Sequence, residues 1–151
     1  MTTVDHELGY STSYTVAQSP AQVFAAVLNV GAWWTGQIDG RADELGAEFS
    51  YRHPPQHYSR QRVAALEPDR RVVWRVTESD LSFASEPAEW TGTDIVFDVT
   101  PTDTGTELRF THAGLLPAVE CFGACSTAWL HYVNGSLRSL ITTGAGLPDP
   151  W

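Results

Sequence analysis

The stretch 117–143 constrains this chain more than any other. On a helical wheel at about 100° per residue it divides into two faces. Val119, Phe122, Cys125, Trp129, Val133, Leu137 and Leu140 share one broad face, and Glu120, Thr127, His131, Asn134, Arg138 and Thr142 share the other. Pro117 suits the first turn, where its missing N–H has no partner to lose. Gly144 suits the left-handed position just past the end, and Arg138 sits towards the carbonyl end, the favourable side for a cation. At about 1.5 Å per residue the rod is roughly 40 Å long. A helix that long and one-sided needs an extended apolar partner.

The rest of the chain supplies that partner as strands. Tyr10 to Ala17 alternates, with Tyr10, Thr12, Tyr14 and Val16 on one side. Ser19-Pro20-Ala21-Gln22 then opens a short helix: Ser19 caps, Pro20 fits the first position and Gln22 completes a capping box. Val23, Phe24, Val27 and Leu28 form its apolar face, and Gly31 is expected to close it. Trp33 and Trp34, between glycines, read as a tight segment packing two large rings at one end.

From Leu45 the period changes to two. Ala47, Phe49 and Tyr51 alternate with polar neighbours, and Pro54-Pro55 forces a turn. Further strands are expected over 58–66, 71–77, 91–100 and 107–112. They carry Val72, Trp74 and Val76, then Thr93, Ile95, Phe97 and Val99, then Leu108, Phe110 and His112 on their inner faces. Residues 78–89 read as a loop or weak edge strand. Strands followed by one long helix mean an α+β fold with the helix on one sheet face. A twisted sheet curls away from a straight helix, leaving a gap of the kind small molecules use.

Composition narrows the function. The 151 residues carry a net charge of −9, with 42% hydrophobic and 18% charged residues. This is a globular composition. It argues against nucleic acid and anionic membranes, which need Lys/Arg patches. The polar first ten residues hold no apolar run, so neither a signal peptide nor a membrane span is expected. The expectation is a cytoplasmic chain whose Cys121 and Cys125 stay reduced.

Several stretches together resemble the SRPBCC (START-like) superfamily, and within it the branch of the activator of the ninety-kilodalton heat-shock protein ATPase. They are Ser19 to Phe24, Trp33-Trp34 with Gly40, Leu45 to Phe49, Trp90 to Thr93, Gly105 to Leu108 with Thr111-His112, and Trp129 with Ser136-Leu137. The likeness runs from about Tyr10 to Pro148. It implies a helix-grip fold, a curved antiparallel sheet of about six strands wrapped around the C-terminal helix. A single domain over residues 1–151, with its core at about 10–144, is the expectation, without the additional N-terminal domain of the full chaperone activators. The superfamily's members include lipid carriers, hormone receptors and polyketide aromatases, so the fold leaves the activity open.

The candidate lining of the gap is Trp74, Phe97, Phe110, His112, Phe122, Trp129 and Val133. Each ring taken singly is equally at home in a core. His112 shares parity with Leu108 and Phe110. It could bond a ligand, act as acid or base, or simply sit satisfied at a strand end. No Asp or Glu faces inward from the best-defined strands. Arg52, Arg60, Arg62, Arg75 and Arg109 dress the outer face, although a one-residue slip in 58–66 would turn Arg60 and Arg62 inward.

His53, His57, Cys121 and Cys125 have no closed zinc spacing, so no metal is expected, nor any other cofactor. No nucleophile elbow or phosphate loop occurs. Three functions fit: binding or carrying a small apolar or aromatic molecule, a cyclase or aromatase using His112, and a chaperone-associated protein-interaction module. The first is preferred, and nothing in the residues supports the protein partner directly.

Overall fold

The alternating segments form one seven-stranded antiparallel sheet. The structure is a computed structural model that describes residues 9–34, 37–53, 57–81, 90–114 and 127–146. The strands are β1 (Gly9–Val16), β2 (Gln37–Gly40), β3 (Glu48–His53), β4 (His57–Glu67), β5 (Arg71–Leu81), β6 (Asp94–Pro101) and β7 (Thr106–Ala113). Their order in space is β1-β7-β6-β5-β4-β3-β2. The chain from β2 to β7 is therefore a meander, and β1 closes against the last strand. The helices lie on one face of this curved sheet, in a helix-grip arrangement.

Sequence parity sets which face is buried. Ile95, Phe97, Val99, Leu108, Phe110 and His112 point to the helices, as their spacing predicts. The opposite face carries cross-strand ion pairs: Arg60 with Glu48 at 3.1 Å, Arg71 with Asp98 at 3.6 Å, and Arg75 with Asp94. The register of β4 leaves Arg60 and Arg62 exposed and turns Ser59 and Gln61 inward.

One strand expectation changes and one alternative is decided. The sheet has seven strands rather than about six, because Gln37–Gly40 pairs with Gly40↔Phe49 through Gln37↔Arg52 instead of forming a loop. Its four residues are too few to show a period. Gly40 makes the pairing possible: its φ is +107°, and a Cβ there would collide with the backbone of Glu48 and Phe49. Of the two readings of 78–89, loop or weak edge strand, the strand holds as far as Leu81, where β5 pairs with β4 alone. Residues 82–89 lie outside the described residues.

α1 (Pro20–Leu28) begins with the expected capping box. Ser19 Oγ accepts from the Gln22 amide at 3.2 Å, and the Ser19 amide donates to Gln22 Oε1 at 2.9 Å. The helix ends at Leu28 with Asn29 as its cap, and Gly31 falls inside a following 3-10 turn, Val30–Ala32.

The C-terminal helix, α2, is described over residues 127–143. The expected positions 117–126, including Phe122, Cys121 and Cys125, lie outside the described residues. Its winding is not uniform. Leu130–Leu137 is π-helical and Arg138–Thr143 returns to α, ending on Gly144 at φ +88°. Bonding from i to i+5 widens each turn, so each residue advances by less than 100°. The buried stripe rotates accordingly: Trp129, Tyr132, Val133, Ser136, Leu137 and Ile141 are buried, whereas Leu140 is only half-buried.

Two buried side chains tie α2 in place. The Tyr14 hydroxyl donates to the Val133 carbonyl at 2.8 Å, and Ser136 Oγ donates to the Trp33 carbonyl at 2.7 Å. Burial pushes the Tyr14 hydroxyl well above its ordinary pKa, with the nearby Arg138 cation opposing in part. The native state therefore resists an ionisation that the unfolded chain undergoes near pH 10, and this share of stability is lost as pH rises beyond that point. Tyr14→Phe is expected to cost about 1 kcal/mol at neutral pH in urea unfolding, through loss of one buried hydrogen bond. The same substitution is expected to flatten the loss of stability above about pH 10, measured by thermal unfolding at stepped pH.

Candidate functional site

His112 sits at the meeting point of sheet and helix. β7 places it inward and wholly buried, opposite Ile95 on β6 and Tyr10 on β1. Trp129 Nε1 donates to His112 Nδ1 at 3.0 Å. An indole N–H can only donate, so Nδ1 is an acceptor and the ring proton lies on Nε2. That proton is directed at Thr93 Oγ1, 2.8 Å away, and the Thr93 hydroxyl donates to the Trp90 carbonyl at 2.6 Å. The chain of donors thus runs from helix to imidazole to threonine to backbone. Both imidazole nitrogens are committed to protein groups. This is the arrangement of a neutral, positioned histidine rather than a free acid or base.

The aromatic residues gather around this bond. Trp90 meets the His112 ring edge to face at 4.7 Å and lies 13° from parallel with Trp129 at 5.7 Å. Trp129 contacts Phe110 at 4.7 Å, Phe110 meets Phe97 at 5.2 Å, and Phe97 meets Trp74 at 4.9 Å. Of the expected lining, Trp74, Phe97, Phe110, His112, Trp129 and Val133 all lie buried between sheet and helix. Phe122 lies outside the described residues.

The other half of the interior was not anticipated. Trp34 stacks on Tyr51 at 4.1 Å and lies nearly parallel to Trp74 at 6.2 Å. Burial pushes the Tyr51 hydroxyl well above its ordinary pKa, with the neighbouring Tyr132 side chain of the π segment opposing in part. On β4, Gln61 Nε2 donates to Ser59 Oγ at 2.5 Å. Gln61 Oε1 and Trp74 Nε1 are buried without a hydrogen-bond partner among the described residues. A buried indole N–H ordinarily finds a partner. Among the described residues, no Asp, Glu, Lys or Arg is buried.

Parity could have found Ser59 and Gln61, since outward Arg60 and Arg62 force their neighbours inward. Tyr132 carried no such signal, because the wheel assumed α winding. Trp90 belongs to no periodic segment, so nothing in the pattern places it beside His112. Among the described residues, no cluster of three His, Cys, Asp or Glu side chains could hold a metal ion. No helix among them is long and apolar enough to cross a membrane.

A curved antiparallel sheet gripping a C-terminal helix defines a protein of the SRPBCC (START-like) superfamily. The sequence matches the family described as "Activator of Hsp90 ATPase homolog 1-like protein" over residues 17–141, and the chain belongs to that family. Among solved structures it is similar to the Aha1 dimer of Colwellia psychrerythraea, with 24% identity and a TM-score of 0.74 over 92% of this chain and 99% of that one. Protein MLL2253 of Mesorhizobium loti is similar at 19% identity and a TM-score of 0.65, covering 83% and 90%. DynU16, of the dynemicin biosynthetic locus, is similar at 17% identity and a TM-score of 0.65, covering 90% of this chain and 48% of that one. At these identities the likenesses establish the fold. Among curated proteins, none matches the sequence.

His112→Phe strands the Trp129 N–H and is expected to cost about 1–3 kcal/mol in chemical denaturation. Adding Trp129→Phe, which removes the stranded donor, is expected to cost less than the sum of the two single changes, a coupling that a double-mutant cycle reads directly.

Proposed function

We propose that this protein binds a small apolar or aromatic molecule in the space between the inner face of the sheet and α2. The observation that carries this reading is Trp74. Its ring is wholly buried among Trp33, Trp34, Phe49 and Phe97, yet its Nε1–H has no partner among the described residues. A buried donor left unmatched costs about 1–3 kcal/mol. A bound molecule with an acceptor group offsets that cost. The surrounding rings give such a molecule flat, stiff walls at little loss of side-chain freedom.

The candidate ligand-contacting residues are Trp74, Phe97, Phe110, Trp129 and Val133, with Trp34, Tyr51 and Gln61 added. His112 serves as the post that positions Trp129. With both ring nitrogens engaged, His112 favours binding over acid–base chemistry of the cyclase kind. The fold is shared with a protein from a biosynthetic locus, which agrees with a small-molecule role. The family's name points instead to a chaperone partner. Large exposed apolar side chains would favour that reading, but among the described residues only Leu45 and Leu130 qualify, and isolated surface leucines are ordinary.

Naphthalene is a suitable first probe, followed by tryptophan emission and thermal unfolding. A saturable change in emission is expected, with about 2.7 kcal/mol of added stability at a hundredfold excess over Kd. Absence of both effects, together with a native mass spectrum of the purified protein showing the bare chain alone, would remove this reading.

A further inference from the structure

The edge strand β2 stands beside a pocket of about 240 Å³. α1 ends at Leu28, and the following 3-10 turn carries Val30 and Gly31 along one wall. Ile38 and Gly40 of β2 line the facing wall. Phe49 lies deepest, nearly buried and 4.9 Å from the Trp74 ring. Two glycines keep the space open: Gly40 is required where β2 meets β3, and a Cβ at Gly31 would meet nothing within 4 Å. Sites for whole small molecules run to roughly 300–1,000 Å³, so this one suits a single large side chain.

The strand supplies the rest of a docking surface. β2 pairs with β3 on one side, and among the described residues no strand pairs with its other edge. In an antiparallel ladder, alternate residues turn their N–H and C=O away from the neighbouring strand, so this edge offers unmatched donors and acceptors. Cross-strand partners share a face, which puts Ile38 and Gly40 on the inner side with Tyr51 and Phe49. An extended peptide added at this edge directs every second side chain to that inner side. The one beside Gly40 falls where the pocket lies.

The rim has a dominant sign of charge. Asp39, Asp43 and Glu44 are exposed there, against one cation, Arg41, which lies 3.1 Å from Asp43 and 3.7 Å from Glu44. A second copy of this chain, at net charge −9, is repelled by such a rim, whereas a basic segment is drawn to it. We propose that β2 and this pocket dock an extended basic segment of a partner protein. The segment adds to the sheet edge as a further strand and seats one bulky apolar side chain between Gly31 and Phe49. A recessed anchor of this kind needs no exposed apolar patch. The site lies apart from the interior site proposed above, and neither reading depends on the other.

The probe is the peptide acetyl-Lys-Thr-Phe-Thr-Lys-amide, titrated into the isotope-labelled protein at low salt and followed by amide resonances. Shifts are expected to gather at Val30, Gly31 and Ile38 to Asp43, with binding weakened by added salt. Replacing the peptide's Phe by Ser is expected to weaken binding about tenfold, through loss of one buried ring. Replacing both Lys by Glu is expected to weaken it about fivefold. N-methylation of the three central amides, which removes the strand donors, is expected to weaken it about tenfold. On the protein, Gly31→Leu places a side chain at the pocket and is expected to bring the Phe peptide down to the level of the Ser peptide. Asp43→Lys, a surface change, is expected to lower affinity for the Phe peptide about fivefold and stands in should the first variant fail to fold. Absence of binding, shifts that gather elsewhere, equal affinity for the Phe and Ser peptides, or affinity that survives both protein substitutions overturns the proposal. None of these results bears on naphthalene binding in the interior.

Discussion

The bond from Trp129 Nε1 to His112 Nδ1 joins the helix to the sheet through two buried side chains. Much of the interior is arranged around its direction. Because indole can only donate, it dictates the tautomer of the imidazole, and the tautomer dictates that Thr93 accepts from Nε2 and donates its own hydrogen bond to the Trp90 carbonyl. Each member is satisfied, which is what permits a polar chain in so apolar a setting. The result orients three rings at once, since Trp90, Trp129 and His112 are all in mutual contact.

The two ends of the interior differ in kind. At the β7 end, both ring nitrogens of His112 and the Thr93 hydroxyl are hydrogen-bonded. At the β4–β5 end, they stop at Gln61 and Trp74. Natural cores rarely tolerate such endings, because the cost falls on the folded state alone. The sheet could have hidden apolar residues at both positions, as it does at Val63, Val72 and Val76. Polar atoms kept where packing alone would favour carbon cost the folded state rather than stabilise it. The outward ion pairs reinforce the contrast, since every charged residue of the central strands that could have answered those atoms faces solvent.

The strands were legible in the sequence because one of their faces is buried and their period is two. Ile95, Phe97 and Val99, with Leu108, Phe110 and His112, could be assigned to the inside before any coordinates, as could the capping box at Ser19. β2 was not legible, since four residues ending in a glycine show no alternation. The continuation of β5 through Glu78 was hidden by polarity, as the energy of that pairing comes from the backbone. α2 was legible as an amphipathic rod but not in its winding. Nothing in Leu130–Leu137 advertises i to i+5 bonding, and so Tyr132 and Ile141 were missed and Leu140 was placed too deep. The site suffered from the same blind spot. Its ring residues follow from parity, whereas the Tyr51–Tyr132 contact depends on how far the helix has turned by residue 132.

The π segment also gives the rod a latent twist. Eight residues wound in the wider turns are shorter and less rotated than the same residues in α form. Rewinding them would lengthen α2 and swing everything beyond Leu137 around its axis, carrying Ile141 off the core and Tyr132 away from Tyr51. The two anchors, the Tyr14 hydroxyl on the Val133 carbonyl and the Ser136 hydroxyl on the Trp33 carbonyl, grip the helix within that very segment. Two hydroxyl groups thus fix both the depth and the rotation of the coil where it departs from α winding.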